Sequence, residues 1–272
     1  MKKTLAIVVF NAILLLFAVV TIVPFVWMFI SSFATNADIV SISDSLFPKP
    51  STLDNYANIQ STFNFMGFFG NSLFICVVKT AIVLYTSAVG GYIFSKLKYR
   101  GRGFLFGMIL SSMMIPWAVT IIPQYDMMVN FGLLDSYWAL ILPAMVNGFG
   151  VFMLKQAMDD IPDEIIEAAR VDGASDFRIF HRIMLPLSRN ALSAIGIFVF
   201  LWNWEDYLWP FLMINDQDKQ LLAVGLKLFS GQYGTDYGGL FAATSIAIIP
   251  VLIVYLLFQK QFISGLAAGS GK

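Results

Sequence analysis

From Thr4 to Ala37 the sequence carries no charged side chain, and nearly all of those residues are apolar. A helix needs about 20 apolar residues to cross the hydrocarbon core of a bilayer. The run therefore holds one complete span, placed at Leu5–Phe33. It is too long for the ~7–15-residue core of a secretory signal, and no small-residue cleavage site interrupts it, so it reads as a retained helix despite Lys2 and Lys3 ahead of it. Composition extends this reading to the whole chain. Of the 272 residues 58% are hydrophobic and 12% charged, whereas a soluble domain carries roughly 25% charged residues. There are too few charges here to cover a water-facing surface.

Five more apolar stretches follow: Gly70–Ser95, interrupted by Lys79; Gly103–Tyr125; Ser136–Leu154; Asn190–Ile214, broken near its far end by Glu205 and Asp206; and Gly239–Gln259. None alternates with the period of two that a membrane β-barrel requires. The fold class is an all-α polytopic membrane protein with six transmembrane helices. Thirteen of the 17 basic residues fall on the side holding both termini, against Lys49, Lys219 and Lys227 on the other and Lys79 within a span. Positive charge is retained in the cytoplasm, so both termini are expected there. The outward segments are then Thr35–Phe69, Asp126–Asp135 and Asn215–Gly238.

Several chemistries have no support. Lys plus Arg and Asp plus Glu are 17 each, so no basic excess points to nucleic acid. A single Cys76 and a single His181 exclude an intrachain disulfide and a Cys- or His-rich metal site. No Ser/His/Asp set or paired carboxylates form a catalytic constellation. The terminal Gly269-Ser270-Gly271-Lys272 echoes a phosphate-binding loop, but the motif requires Gly where Leu266 stands. The chain is expected to be no enzyme and to hold no metal or cofactor.

One polar segment is organised. The inward loop from Lys155 to Arg189 holds Pro162 at the first turn of a helix, with Asp163 and Glu164 complementing its positive end. That helix can run to Val171. Asp172-Gly173 is a turn pair in which Gly supplies positive φ, and Ser175 is an N-cap for a second helix. There Phe177, Phe180 and Met184 recur on one apolar face, while Ala168-Ala169 leaves the first helix flat enough for another protein to approach. His181, among Arg178 and Arg182, reads as a solvated surface residue.

These residues carry a resemblance. Glu167-Ala168-Ala169, Asp172-Gly173-Ala174, Phe177 and Leu185-Pro186-Leu187 resemble the EAA loop of permease subunits in ATP-binding-cassette importers, the MetI-like type I fold. Asn71-Ser72-Leu73, Gly132-Leu133-Leu134-Asp135-Ser136-Tyr137, Trp202 to Pro210 and Gln261 to Leu266 are similar to the carbohydrate branch, related to the second membrane subunit of maltose-type systems. Lys79 departs from the family, which usually has an uncharged residue there. The resemblance implies an N-terminal helix and extracytoplasmic segment over 1–69, a five-helix core over 70–260 with the EAA coupling loop at about 155–189, and a cytoplasmic tail over 261–272. It implies four partners: a second homologous permease, a cytoplasmic ATPase dimer, an extracytoplasmic solute-binding protein and the lipid bilayer. Glu167, Ala168, Ala169, Asp172, Gly173, Ala174 and Phe177 would couple to the ATPase, which alone hydrolyses ATP. The solute would be a sugar or oligosaccharide; a non-sugar solute such as glycerol phosphate and an ion-coupled secondary transporter are the alternatives.

Two other groups are singled out. Lys79, Asn203, Glu205 and Asp206 are candidates for the translocation path. A Lys near mid-bilayer costs about 2.5–3.5 kcal/mol, so Lys79 is expected either to snorkel to the outer headgroups or to pair with Asp126 or Glu205. In the outward loop Ser230–Tyr237, residues Gly231, Tyr233, Gly234 and Tyr237 are candidates for contact with the binding protein. Gly90-Gly91 and Gly103/Gly107 read as ordinary close helix packing.

Overall fold

The computed structural model of the chain describes residues 2–41, 47–231 and 234–270. Fifteen helices are assigned among them. In chain order they are α1 (Lys2–Ser31), α2 (Asn36–Val40), α3 (Asp54–Thr62), α4 (Phe65–Lys96), α5 (Arg102–Met113), α6 (Trp117–Asn130), α7 (Tyr137–Ile141) and α8 (Gly148–Asp159). They continue with α9 (Asp163–Val171), α10 (Asp176–Ile179), α11 (Leu185–Leu187), α12 (Arg189–Glu205), α13 (Leu208–Met213), α14 (Leu222–Leu226) and α15 (Tyr237–Ser270). Two short strands, β1 (Ser230–Gly231) and β2 (Gly234–Thr235), pair antiparallel between α14 and α15.

Three helices, α1, α4 and α15, are long and apolar enough to cross a membrane unaided, and three bent pairs bring the number to six if each pair is one span. The third span was expected over Gly103–Tyr125. It is broken between α5 and α6 with a bend of 100°. Pro116 explains the break: it lacks the N–H a helix interior needs and pushes Ile115 away from helical geometry. The fourth span, α7 with α8, bends by 42° beyond Pro143, and Asn147 restarts it by accepting a bond from the Gly150 N–H at 2.7 Å. The third pair joins Asp176–Leu187 to α12 with a bend of 76°; α12 then ends at Glu205, and the chain leaves helical geometry at Asp206, where the charges suggested a break. The sixth span, Tyr237–Lys260, ends about where expected, and its helix continues to Ser270.

The chain divides into two compact units, one from Met1–Met66 and Gly225–Ile249, the other from Gly67–Val224 and Pro250–Lys272. In the first, Trp27 meets Phe241 edge-on at 5.4 Å and Phe63 meets Phe229 at 5.7 Å. Asn55 Nδ2 donates to the Ser32 and Ala34 carbonyls, closing the end of α1 over α3. The Asn36 side chain donates to Asp236 Oδ1 and accepts from the Gly238 N–H, which fixes the start of α15. The most apolar stretch of α1 has no residue buried by the rest of the chain, and its side chains are suited to hydrocarbon; Ser31 at its end is buried.

In the second unit α4 packs closely on α8. A Cβ placed on Gly91 would lie 2.9 Å from Leu154 Cβ and 3.0 Å from its carbonyl carbon, so only Gly permits that approach. Packing was the expectation for Gly90-Gly91, and α8 is the partner the sequence did not identify. A Cβ placed on Gly103 or Gly107 would meet nothing within 4 Å, so no close approach to a described neighbour requires glycine there. Side-chain bonds tie loops into two sets. Asn71, Ser72, Asp135 and residues 215–222 meet at one end, while Ser95, Lys96, Asp159, Asp163 and Asp176 meet at the other. Loops assigned to one side of the membrane by charge thus bond to one another.

Candidate functional site: the polar helical hairpin

The polar loop folds as its residues suggest. Helix α9 starts after Pro162, carries Asp163 and Glu164 in its first turn and Arg170 in its last, each charge opposing the helix dipole end beside it. It ends in a Schellman arrangement: Gly173 at φ +78°, with Gly173 N–H donating to the Arg170 carbonyl at 3.0 Å and Ala174 N–H to the Ala169 carbonyl at 2.9 Å. Such a φ is steeply unfavourable for a β-branched residue. Ser175 then caps α10, its Oγ accepting from the Arg178 N–H. Residues 180–184 form a single π-helical turn before Pro186, which has no N–H to return to it; wide turns of this kind relieve the proline ring.

The hairpin sits on a hydrophobic cluster. Ile166, Ile179, Phe180 and Met184 are buried against Val83, Ala88 and Tyr92 of α4, Leu154 and Met158 of α8, and Ile195 and Val199 of α12. Ala169 and Ala174 pack partly against the same cluster. This corrects two expectations. Ala168 and Ala169 do not share one flat face, since Ala168 is exposed and Ala169 turns inward. Phe177 is not on the face of Phe180 and Met184: it is 72% exposed, because residue 177 lies a turn short of the π segment that aims the other two inward. His181 is no freely solvated side chain. Its Nδ1 lies 2.9 Å from the Phe177 carbonyl and its Nε2 3.3 Å from the Tyr85 hydroxyl.

The outer surface of the hairpin presents Glu167, Ala168, Asp172 and Gly173, flanked by Phe177 and by Val171, which is 88% exposed. Val171 escaped sequence reasoning because it ends the helix where α9 periodicity no longer predicts a facing. Arg170, Asp176 and Tyr92 were also missed. Arg170 Nη2 donates to Asp176 Oδ1 at 2.9 Å, and the Tyr92 hydroxyl donates to the same oxygen at 3.2 Å. The Arg170 guanidinium, with the Tyr92 hydroxyl after it, holds the Asp176 carboxyl below the usual carboxylate range. Lys96 Nζ donates to Asp163 Oδ1 and to the Ile161 carbonyl, both at 2.6 Å, and likewise lowers the Asp163 carboxyl.

The path candidates are only partly brought together. Lys79 is 6% exposed, and its Nζ lies 3.6 Å from Asp206 Oδ2. It neither snorkels nor pairs with Asp126 or Glu205, both of which are exposed. Asp206 sits at the break between α12 and α13, where the chain leaves helical geometry, and this brings its carboxylate to α4. Asn203 is half-buried, and its Nδ2 has no hydrogen-bond partner among the described residues. The loop before α15 is a two-stranded hairpin with Gly231 opposite Gly234. Tyr237 opens α15 and lies 6.1 Å from the Phe241 ring. Tyr233 lies outside the described residues.

A helical chain with long apolar spans and a capped, core-seated polar hairpin has the make-up of an integral membrane transport component. The chain belongs to the family described as "Binding-protein-dependent transport system inner membrane component", which matches residues 87–267. It is 34% identical to the diacetylchitobiose uptake system permease protein NgcG of Streptomyces coelicolor, covering 96% of this chain and 87% of that protein. It is 31% identical to the lactose transport system permease protein LacG of Rhizobium radiobacter, over 98% and 97% of the two. Among solved structures, a chain of a bacterial ABC transporter involved in the import of the acidic polysaccharide alginate superposes with a TM-score of 0.83 at 25% identity, covering 96% of this chain and 98% of that one. The MetI-like permease fold and the membership of an integral membrane transport component follow. Such components carry no catalytic chemistry of their own.

Proposed function

We propose that this subunit forms half of the translocation path of an ATP-driven importer for a sugar or short oligosaccharide, with its hairpin seated in a cytoplasmic ATPase. The observation that carries the coupling role is the exposed rim of the hairpin. Val171 and Phe177 stand out on either side of the Gly173 turn, with Glu167 and Asp172 beside them, although the body of the hairpin is anchored in the core. Two large exposed apolar side chains on an ordered, capped element suit burial in a partner, and Glu167 suits a charge-assisted bond to a basic residue. The partners are a second homologous permease, a pair of ATPase subunits and an extracytoplasmic binding protein. Relatives named for diacetylchitobiose and lactose and a structural neighbour involved in alginate import support the carbohydrate class.

In this reading both termini are cytoplasmic, as the charge asymmetry requires, and Gly231, Tyr233, Gly234 and Tyr237 face the binding protein. ATP-driven closure of the ATPases moves the hairpin, the spans alternate between inward and outward access, and the loaded binding protein releases its solute into the path near Lys79, Asn203, Glu205 and Asp206. The test uses Gly173→Val and Glu167→Lys in the assembled transporter. Gly173→Val places a β-branched residue at φ +78° and should cost about 1–3 kcal/mol locally, leaving the subunit folded in the membrane. Both variants should reduce co-purification of the ATPase or abolish stimulation of its ATP hydrolysis by the loaded binding protein. Undiminished stimulation in both would refute the docking role.

A further inference from the structure

We propose that Asp176 is the hub of a latch fastening both halves of the hairpin to α4, so that the hairpin's motion reaches that span directly; this rests on the docking role argued above. The covalent chain offers one route out of the hairpin, through the π turn and α11 into α12. The side chains offer a second. One oxygen, Asp176 Oδ1, accepts from Arg170 in the last turn of α9 and from Tyr92 in α4, while Asp176 itself opens α10. Three helices therefore meet on one atom.

The same turn of α4 makes three further bonds. Ser95 Oγ donates to Asp159 Oδ1 at 2.7 Å, and Lys96 Nζ bonds Asp163 and the Ile161 carbonyl. Tyr92, Ser95 and Lys96 stand at i, i+3 and i+4, one helix face, and each donates to a carboxylate at the end of α8 or in the hairpin. The Tyr92 ring, 4% exposed, also packs 5.5 Å from Phe180. A push on the hairpin thus loads α4 through Tyr92 and Lys96 as well as α12 through the backbone. These are positioning residues, acting through the hairpin and not on the solute.

The experiment uses the complete transporter in lipid, with Cys76→Ser and spin labels at positions 98 and 182, both exposed. Electron–electron distance distributions are measured without nucleotide and after trapping with ATP and vanadate. The wild-type chain should keep one narrow distribution in both states, because α4 and the hairpin travel together. Tyr92→Phe combined with Lys96→Met keeps the packed bulk but removes both donors. It should lose the narrow distribution in the trapped state only, whereas Arg170→Lys should retain it. Unchanged narrow distributions in the double variant would overturn the latch, and so would reduced yield with unchanged distances, since that is a merely structural role. Failure of the docking role would appear separately, as absence of the ATPase from the purified wild-type complex.

Discussion

Two cation–carboxylate pairs in this chain have the same chemistry and opposite surroundings. Lys79 and Asp206 meet inside the membrane-spanning region with side chains 7% and 25% exposed, at 3.6 Å. Arg170 and Asp176 meet on the surface of the polar hairpin, both about half exposed, at 2.9 Å. Breaking a buried pair by removing one partner costs about 3–5 kcal/mol, because the remaining charge is left unpaired in a poor solvent. An exposed pair is worth about 0–1 kcal/mol. The shorter contact is therefore the weaker one. The inner pair fixes structure where span five breaks; the surface pair contributes position, which is what an element driven by another protein needs.

The sharpest way to break the contrast is Lys79→Met. It should lower the amount of folded subunit in the membrane, with a loss near the lower end of ~3–5 kcal/mol because Asp206 keeps some solvent access. The double variant Lys79→Met with Asp206→Leu should recover much of that loss, and the exchanged pair Lys79→Asp with Asp206→Lys part of it. Thermal unfolding in lipid nanodiscs would read all three against the wild-type chain. An unaffected Lys79→Met would show that the pair carries no structural weight.

At the surface the corresponding prediction concerns pH. Asp176 and Asp163 titrate below the usual carboxylate range, held there by Arg170 and Lys96. A depressed carboxylate contributes stability that is present above its unfolded pKa of about 4 and lost as pH falls through the folded value. The hairpin's protection from hydrogen exchange should therefore be level from about pH 5 to pH 8 and decline only in stronger acid. At the opposite end Asp135 is held down in the same sense by the backbone N–H groups of Asp216 and then Asn215. Asp135→Asn keeps an acceptor but loses the charge, so exchange at those two amides should rise slightly while the hairpin is unchanged. A mid-range pH transition at either end would contradict these assignments.

Much of this was legible from residues in sequence. Local rules placed α9, the Gly173 turn and the Ser175 cap, because propensity, capping and charge all agree there. The break at Asp206 was visible as charge inside an apolar run. The partner of Lys79 was not, since a helix break redirects a side chain in a way linear spacing does not encode, and Glu205 next to it looked equally able. The inward turn of Ala169 and the outward turn of Phe177 depend on tertiary packing and a π turn that no periodicity announces. The Arg170–Asp176–Tyr92 junction needed α4 to be positioned first.

The central claim is that the exposed rim of the hairpin enters an ATPase. Photo-crosslinking amino acids at Val171 and Phe177, with one at the likewise exposed Leu228 in the 215–238 segment as control, test it most directly in the assembled transporter. The account predicts that positions 171 and 177 capture the ATPase subunit and that position 228 never does. Capture of the ATPase from position 228, with none from 171 or 177, would contradict both the orientation and the docking role.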